Sequence, residues 1–381
     1  MREQFTMTAK TLFGLEEILV DELSKLGASN IVKGTRMVQF TGNTALLYKA
    51  NIACRTAIKI LIPIHHFKAS NENVLYDAVK KIDWSTWIQP NKTFAIDATI
   101  ASDYFNHSKY IALKTKDAIV DQCREKFGTR PNIELQSPDI RLHIHIHQDD
   151  CTISLDSSGT SLHQRGYRKA TNIAPINEVL AAGILLLSGW QGQCHFLDPM
   201  CGSGTILIEA AMIALNLPAN CNRTEFAFER WEDYDNQLFE AVLEECMQQR
   251  KPFPYSIQGF DIDISSVHKA KNNIANANLS DVIRVDMNDF FDSKKTQDGE
   301  LHLLFNPPYD ERIGIKTTEF YEDIGNTLKH HYAGTHAWML TGNLEALKYV
   351  GLKPSRKIKV FNGAIEARLL NYEMYAGKKH Q

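Results

Sequence analysis

The sequence predicts an α/β chain: a mostly parallel sheet with an antiparallel hairpin at its end, preceded by smaller α+β units. Three stretches carry that expectation. In Phe196 to Glu209, FLDPMCGSGTILIE, an apolar strand enters a loop holding Gly202 and Gly204, then the apolar helix-like run from Thr205 to Leu215. Glycines remove Cβ atoms where a ligand approaches the backbone, and unpaired N–H groups at a helix N-terminus face whatever sits there. Taken alone, such a loop is either a cofactor-binding corner or an ordinary strand-to-helix turn. A second apolar strand, Leu301 to Phe305, ends in Asn306-Pro307-Pro308-Tyr309. Its prolines fix φ and remove two backbone donors, so the loop presents carbonyl oxygens and the Asn306 amide as a rigid acceptor site. Paired acceptors suit an exocyclic –NH2. Third, KIKVFNGAIEARLLNYEMY places Asn362-Gly363 between two alternating apolar runs, the strongest short-range hairpin signal.

At 381 residues the chain has room for two or three domains with buried cores. No apolar run is long enough to span a bilayer, and the N-terminus MREQFTMTAK has no apolar signal core, so no membrane association is expected. Seven scattered cysteines without a CxxC pair point to free thiols in a reducing cytoplasm and to no zinc site. A net charge of −3 argues against indiscriminate nucleic-acid binding. Residues 1 to 165 hold 20 Lys+Arg against 18 Asp+Glu, and residues 166 to 381 hold 22 against 27. Local basic patches in the first half therefore permit RNA contact.

Taken in order, the chain opens with a small α/β unit: a strand near Gln4 to Thr8, a helix from Leu12 to Leu26 closed by Gly27, and a strand from Met37 to Thr41. A helix from Thr44 to Arg55 and an apolar run, Ile58 to Ile64, complete it. A second unit has helices from Asn73 to Lys81 and Tyr110 to Phe127, and strands at Thr93 to Ile100, Asp139 to His147 and Cys151 to Asp156. Lys109, Lys114, Lys116, Arg124, Lys126 and Arg130 gather on or beside its long helix, which reads as a solvated face or an RNA-contacting one. His143, His145 and His147 alternate with apolar residues, so they share one strand face. No thiol or carboxylate converges on them in sequence, and a polar strand face is the better reading than a metal site.

With these residues in view, DPMCGSGT followed by NPPY resembles the class I S-adenosylmethionine-dependent methyltransferases acting on exocyclic amines of nucleobases. Generic members carry a third glycine where this chain has Met200; a DPxCGSGT form is similar to the amine-directed, RNA-acting branch. The strand pair ending in LDSSG, then LHQRGYR, then APINEVLAAGILL narrows the likeness. This order resembles bacterial THUMP-domain methyltransferases of large-subunit ribosomal RNA that form guanine-N2-methyl. The resemblance implies a ferredoxin-like domain at 1–62, a THUMP RNA-binding domain at 63–160, and a Rossmann-like class I methyltransferase domain at 161–381. Asn177 to Leu187 resembles the helix over the cofactor pocket in that family, or is a plain packing helix. The insertion Leu217 to Tyr255, with FAFERW, reads as an elaboration between strands. The chain lacks the second catalytic domain that some relatives carry fused at the C-terminus, which implies one modification only.

The same resemblance implies S-adenosyl-L-methionine as cofactor, held by Asp198, Pro199, Gly202, Gly204, Thr205, Asp261, Asp263, Asp286, Met287 and Asn306, without a metal. A carboxylate closing the strand Ser256 to Phe260 can accept both ribose hydroxyl protons, and Asp261 in GFDID fits best. Asp286 beside Met287 either pairs with the adenine amino group or caps the surface. In the catalytic loop Asn306 and Pro307 accept the amine's N–H groups, Pro308 stiffens the turn, and Tyr309 stacks on a base that has left its helix or loop. The expected function is N2-methylation of a guanine in 23S ribosomal RNA. The alternatives are the same chemistry on tRNA, N6-methylation of adenine, and a non-catalytic RNA-binding or ribosome assembly factor. An NAD-dependent enzyme is disfavoured by NPPY and by the hairpin.

Overall fold

The computed structural model describes residues 4–169, 176–308 and 317–375. The first half comprises β1 (Phe5–Thr11), α1 (Glu16–Lys25), β2 (Ser29–Gly34), β3 (Met37–Gly42), α2 (Thr44–Ala53) and β4 (Ala57–Lys68). It continues with α3 (Glu72–Lys80), β5 (Thr93–Ala101), α4 (Ser108–Phe127), β6 (Asn132–Ile133), β7 (Ile140–His147) and β8 (Asp150–Asp156). These strands form one eight-stranded sheet in the order β2-β3-β1-β4-β8-β7-β5-β6. The long strand β4 joins the two units: it pairs with β1 from Ala57 to Leu61 and with β8 from Leu61 to Lys68, both antiparallel. The boundary expected between residues 62 and 63 therefore falls inside a strand. A register shift between Pro63 and His65 accommodates a residue that cannot donate to the ladder. β2 has no counterpart in the sequence reading, because an edge strand with mostly exposed side chains shows no apolar alternation.

His143, His145 and His147 lie on one face of β7, as the alternation predicts. His143 is buried, with Nε2 2.9 Å from Thr99 Oγ1, and burial together with Lys10 and Lys59 lowers its pKa to about 3. Among the described residues no group of three His, Cys, Asp or Glu side chains is arranged to hold a metal. The basic residues of α4 are largely engaged within their own unit. Lys114 lies over the Tyr76 ring, Lys116 pairs with Asp117, Arg124 with Asp121, and Lys126 with Asp83. That pairing favours the solvated helix face over the RNA-contacting one.

The second half contains α5 (Glu178–Leu187), β9 (His195–Asp198), α6 (Thr205–Ala214), α7 (Asn236–Gln248), β10 (Ile257–Asp261), α8 (Ile264–Asn276) and β11 (Ile283–Met287). It closes with β12 (Leu301–Phe305), α9 (Thr317–His331), β13 (Thr335–Thr341), β14 (Arg356–Asn362) and β15 (Ile365–Met374). The sheet order is β11-β10-β9-β12-β13-β15-β14. β11, β10, β9, β12 and β13 are mutually parallel, and β15 runs antiparallel to both β13 and β14. The predicted hairpin is present: Asn362 faces Ile365 across a turn in which Gly363 has φ +63°.

The insertion between α6 and β10 packs onto the first half. The Phe228 ring stacks on Tyr48 at 4.5 Å, its N–H donates to Ser157 O at 3.1 Å, and the Asn220 N–H donates to Ile52 O at 2.9 Å. Phe226, Phe228 and Phe239 belong to the apolar core of the first half. The sequence reading of an elaboration between strands is thus incomplete, since FAFERW works as a clamp between the halves. A buried polar cluster lies beside it. Arg55 caps the end of α6 by donating to the Met212 and Leu217 carbonyls, and Arg165 donates to the carbonyls of Leu162 and Arg55. The Tyr167 hydroxyl donates to Glu209, a fully buried carboxylate on α6. Buried polar groups are stable only when paired, so this cluster holds the LHQRGYR segment in one register.

Candidate active site

In an open α/β sheet, ligands bind at the carboxyl ends of the strands where the strand order reverses. Here the reversal lies between the parallel neighbours β9 and β12, with Leu197 paired to Leu303. β9 runs into Asp198-Pro199 and the glycine loop, and β12 runs into Asn306-Pro307-Pro308. The two stretches predicted to carry the chemistry thus face one crevice. Asn306 is half-buried, Pro307 buried and Pro308 exposed, while Tyr309 lies outside the described residues.

The glycine loop is held by its neighbours. The Cys201 N–H donates to Phe260 O at 2.8 Å, the Gly202 N–H to Asp261 Oδ2 at 2.9 Å, and Asn273 Nδ2 to Ser203 O at 3.1 Å. Gly204 caps α6 in the left-handed region, φ +83°, and a Cβ there would stand 3.1 Å from Ala270 Cβ. A glycine is thus required by backbone conformation and by the approach of α8. Thr205, the first helical residue, is buried, and its Oγ1 accepts from Arg168 Nη2 at 2.7 Å. Pro199 is buried behind the loop.

Asp198 is 1% exposed; Oδ1 accepts from the Met200 N–H at 3.1 Å, while Oδ2 is buried and has no hydrogen-bond partner among the described residues. Burial, reinforced by the Asp261 carboxylate, pushes its carboxyl well above the usual range. Asp261, at the end of β10, also accepts from the Asp263 N–H at 3.0 Å, and burial raises its pKa as well. Asp263 is committed elsewhere: it caps α8, accepting from the backbone N–H groups of Ser265 and Ser266 and from the Ser266 hydroxyl. Its contribution to the site is to aim the turn after Asp261. Asp286 and Met287, at the end of β11, are exposed, with Met287 in register with Asp261.

Sequence reasoning named Met287 but missed two features here, the apolar surface it shares with Ile262 and the role of Arg168. Ile262 is 65% exposed and Met287 61%, so apolar surface lies open at the ends of β10 and β11. An apolar residue between the two acids of GFDID was the available signal. The other is Arg168, whose guanidinium joins three pieces of chain: Nε lies 3.1 Å from Glu178 Oε1, and Nη2 donates to Ile176 O and Thr205 Oγ1. Burial raises Glu178 to about 7, against the pull of Arg168.

These features fit S-adenosylmethionine. The partnerless Asp198 oxygen awaits a donor such as an aminoacyl ammonium, Asp261 stands where ribose hydroxyls would donate, and the open apolar surface suits a flat adenine ring.

Comparison with known proteins agrees with this geometry. Residues 165–371 match the RMKL-like methyltransferase domain, residues 69–156 the THUMP domain, and residues 6–61 the RlmL ferredoxin-like domain. A Synechocystis protein described as an RNA methyltransferase is 37% identical over 97% of this chain and 98% of its own length. The ribosomal RNA large subunit methyltransferase K/L of Syntrophotalea carbinolica is 38% identical over 95% of this chain. The chain spans about half the length of such K/L relatives, 52% in that case. A crystal structure of a methyltransferase complexed with SAH superposes with a TM-score of 0.87 at 30% identity, covering 99% of this chain and all of the other. The chain belongs to the RMKL-like methyltransferases, class I S-adenosylmethionine-dependent enzymes, here with ferredoxin-like and THUMP units ahead of the catalytic domain.

Proposed function

We propose that this chain methylates the exocyclic N2 of a guanine in 23S ribosomal RNA. The observation that carries this reading is the placement of the glycine loop and Asn306-Pro307-Pro308 on adjacent parallel strands at the point of order reversal. The large-subunit relatives and the THUMP match support RNA as the substrate. S-adenosylmethionine, when bound, supplies an electrophilic methyl group. Asp198 would accept from its ammonium, Asp261 from its ribose, and Asp286 from the adenine amino group, with Ile262 and Met287 covering the ring. Asp263 orients that turn, and Pro199, Gly202, Gly204 and Thr205 form the wall.

The guanine amine is a weak nucleophile because its lone pair is delocalised into the ring. Accepting its two N–H groups at the Asn306 side-chain oxygen and the Pro307 carbonyl localises that pair and aims it for in-line attack. Pro308 restricts the loop, and Tyr309 is assigned to stack on the flipped base. After transfer the nitrogen is acidic and loses its proton to water. Positioning and electrostatics supply the acceleration, with no covalent enzyme intermediate.

The test is transfer of labelled methyl to RNA from cells lacking this protein, followed by nucleoside analysis of separated 23S, 16S and tRNA pools. N2-methylguanosine in 23S RNA is expected. Label in tRNA would change the substrate, N6-methyladenosine would change the base, and no label despite cofactor binding would favour an assembly role. Asn306→Ala is expected to lower turnover about 10²- to 10³-fold, the weight of one well-placed hydrogen-bonding group. Its cofactor affinity should stay within a few-fold of wild type. Normal turnover would remove Asn306 from the mechanism.

A further inference from the structure

Beside the cofactor corner, the segment 160–168 and the insertion loop around Arg223 enclose a polar cavity of about 530 Å3, lined by Thr160, His163, Gln164, Arg168 and Arg223 and by two carboxylates, Glu178 and Glu225, the latter paired with Arg230. That volume is within the range of ligand sites. Arg165 also borders it, 3.6 Å from Glu209, and Arg168 is paired with Glu178. Among the described residues Arg223 has only neutral hydrogen-bond partners. Nη1 donates to the carbonyls of Ser161 and Gln164, and Nη2 to the carbonyls of Ser158 and Thr160 and to Thr160 Oγ1. Its Nε is buried without a partner. Burial and the neighbouring Arg165 lower its pKa to about 10 against the opposing pull of the Asp156, Glu225 and Glu229 carboxylates, so it stays a cation at neutral pH. The same field acts on His163, whose pKa is lowered by burial and by Arg165, Arg168 and Arg223.

A half-buried cation whose hydrogen-bond partners are neutral dipoles leaves an electrostatic cost that an anion would relieve. One wall of the cavity, Thr160, follows directly on the THUMP unit, and the other belongs to the catalytic domain. Arg168 ties the cavity to Thr205 of the cofactor corner. We propose that this cavity seats a phosphodiester of the substrate RNA, in the strand flanking the target nucleotide; this rests on the RNA methyltransferase reading.

The test measures the affinity of the full chain for a 23S RNA fragment over a range of salt concentrations, with S-adenosylmethionine affinity measured in parallel. Arg223→Ala removes the charge together with five hydrogen bonds to the chain. Gln164→Glu, on an exposed lining residue, adds a negative charge and leaves those bonds in place, and Gln164→Lys is its opposite. Arg223→Ala and Gln164→Glu are expected to weaken RNA binding about fivefold near 0.1 M salt and to flatten the log–log salt slope by about 0.7, the weight of one single-strand phosphate contact. Gln164→Lys should bind RNA at least as tightly as wild type, with cofactor affinity unchanged in all three. Unchanged RNA affinity and slope in Gln164→Glu would overturn the proposal. Weakened cofactor binding with intact RNA binding would also overturn it, making the anion the cofactor's carboxylate. Because affinity is read without turnover, a wild type that shows this slope but transfers no methyl refutes the catalytic reading and leaves the phosphate seat standing.

Discussion

Asp198→Asn should stabilise the cofactor-free protein while weakening cofactor binding, two effects of opposite sign from one atom. In the wild type Oδ2 is buried without a partner and the Asp261 carboxylate raises the cost further. An uncompensated buried charge costs several kcal/mol, whereas a buried amide lacking an acceptor costs about 1–3 kcal/mol. The variant keeps the Oδ1 bond from the Met200 N–H. The expected net gain is about 1–2 kcal/mol at neutral pH, or several degrees in Tm for a domain of this size. The sign depends on pH. An acid whose pKa is raised in the folded state contributes most below its ordinary range and loses that contribution as pH rises, so the advantage of Asn should grow from acid to neutral pH. S-adenosylmethionine affinity should fall at least tenfold, about 1.4 kcal/mol. Chemical denaturation of the cofactor-free protein and calorimetric titration measure the two arms. An Asn variant less stable than wild type at neutral pH, or one binding the cofactor as tightly, would refute the reasoning.

Two further outcomes test the architecture. Phe228→Ala should destabilise the chain by about 3–5 kcal/mol, because the ring is fully buried against Tyr48 and its loss opens a cavity between the halves; a change below 1 kcal/mol in urea denaturation would show that the clamp is not structural. Glu178, raised to about 7 from an ordinary 4.5, should make the wild type lose on the order of 3 kcal/mol of stability as pH rises across that interval. Glu178→Gln should remove that slope. Parallel stability–pH profiles for the two proteins would contradict it.

The hairpin at Asn362-Gly363, the helix stop at Gly27 and the strand ends at Asp198, Asp261 and Phe305 were legible because each is a local pattern: a turn residue, a helix-stopping glycine, an apolar run stopped by a polar one. Three features were not. β2 carries mostly exposed side chains at a sheet edge, so its existence depends on β3 beside it. The unity of β4 was hidden because its apolar run stops at Ile64 while the strand continues through His65, His66 and Lys68 by pairing with β8. The clustered cations of α4 read as either a solvated face or an RNA-contacting one until Asp83, Asp117 and Asp121 are seen pairing with them.

In the site, the sequence by itself determined which groups are available: two glycines before a helix, acids at strand ends, and an acceptor loop stiffened by two prolines. These follow from short-range chemistry, which a string of residues records. Only the tertiary structure decided which of these groups meet. It placed the glycine and Asn306 loops on neighbouring strands, left one Asp198 oxygen without a partner and turned Asp263 into a helix cap. It also moved FAFERW into the core of the other half and gathered Arg165, Arg168 and Arg223 around one cavity. Those relations join residues far apart in the chain, and burial and pairing exist only once the long-range contacts have formed.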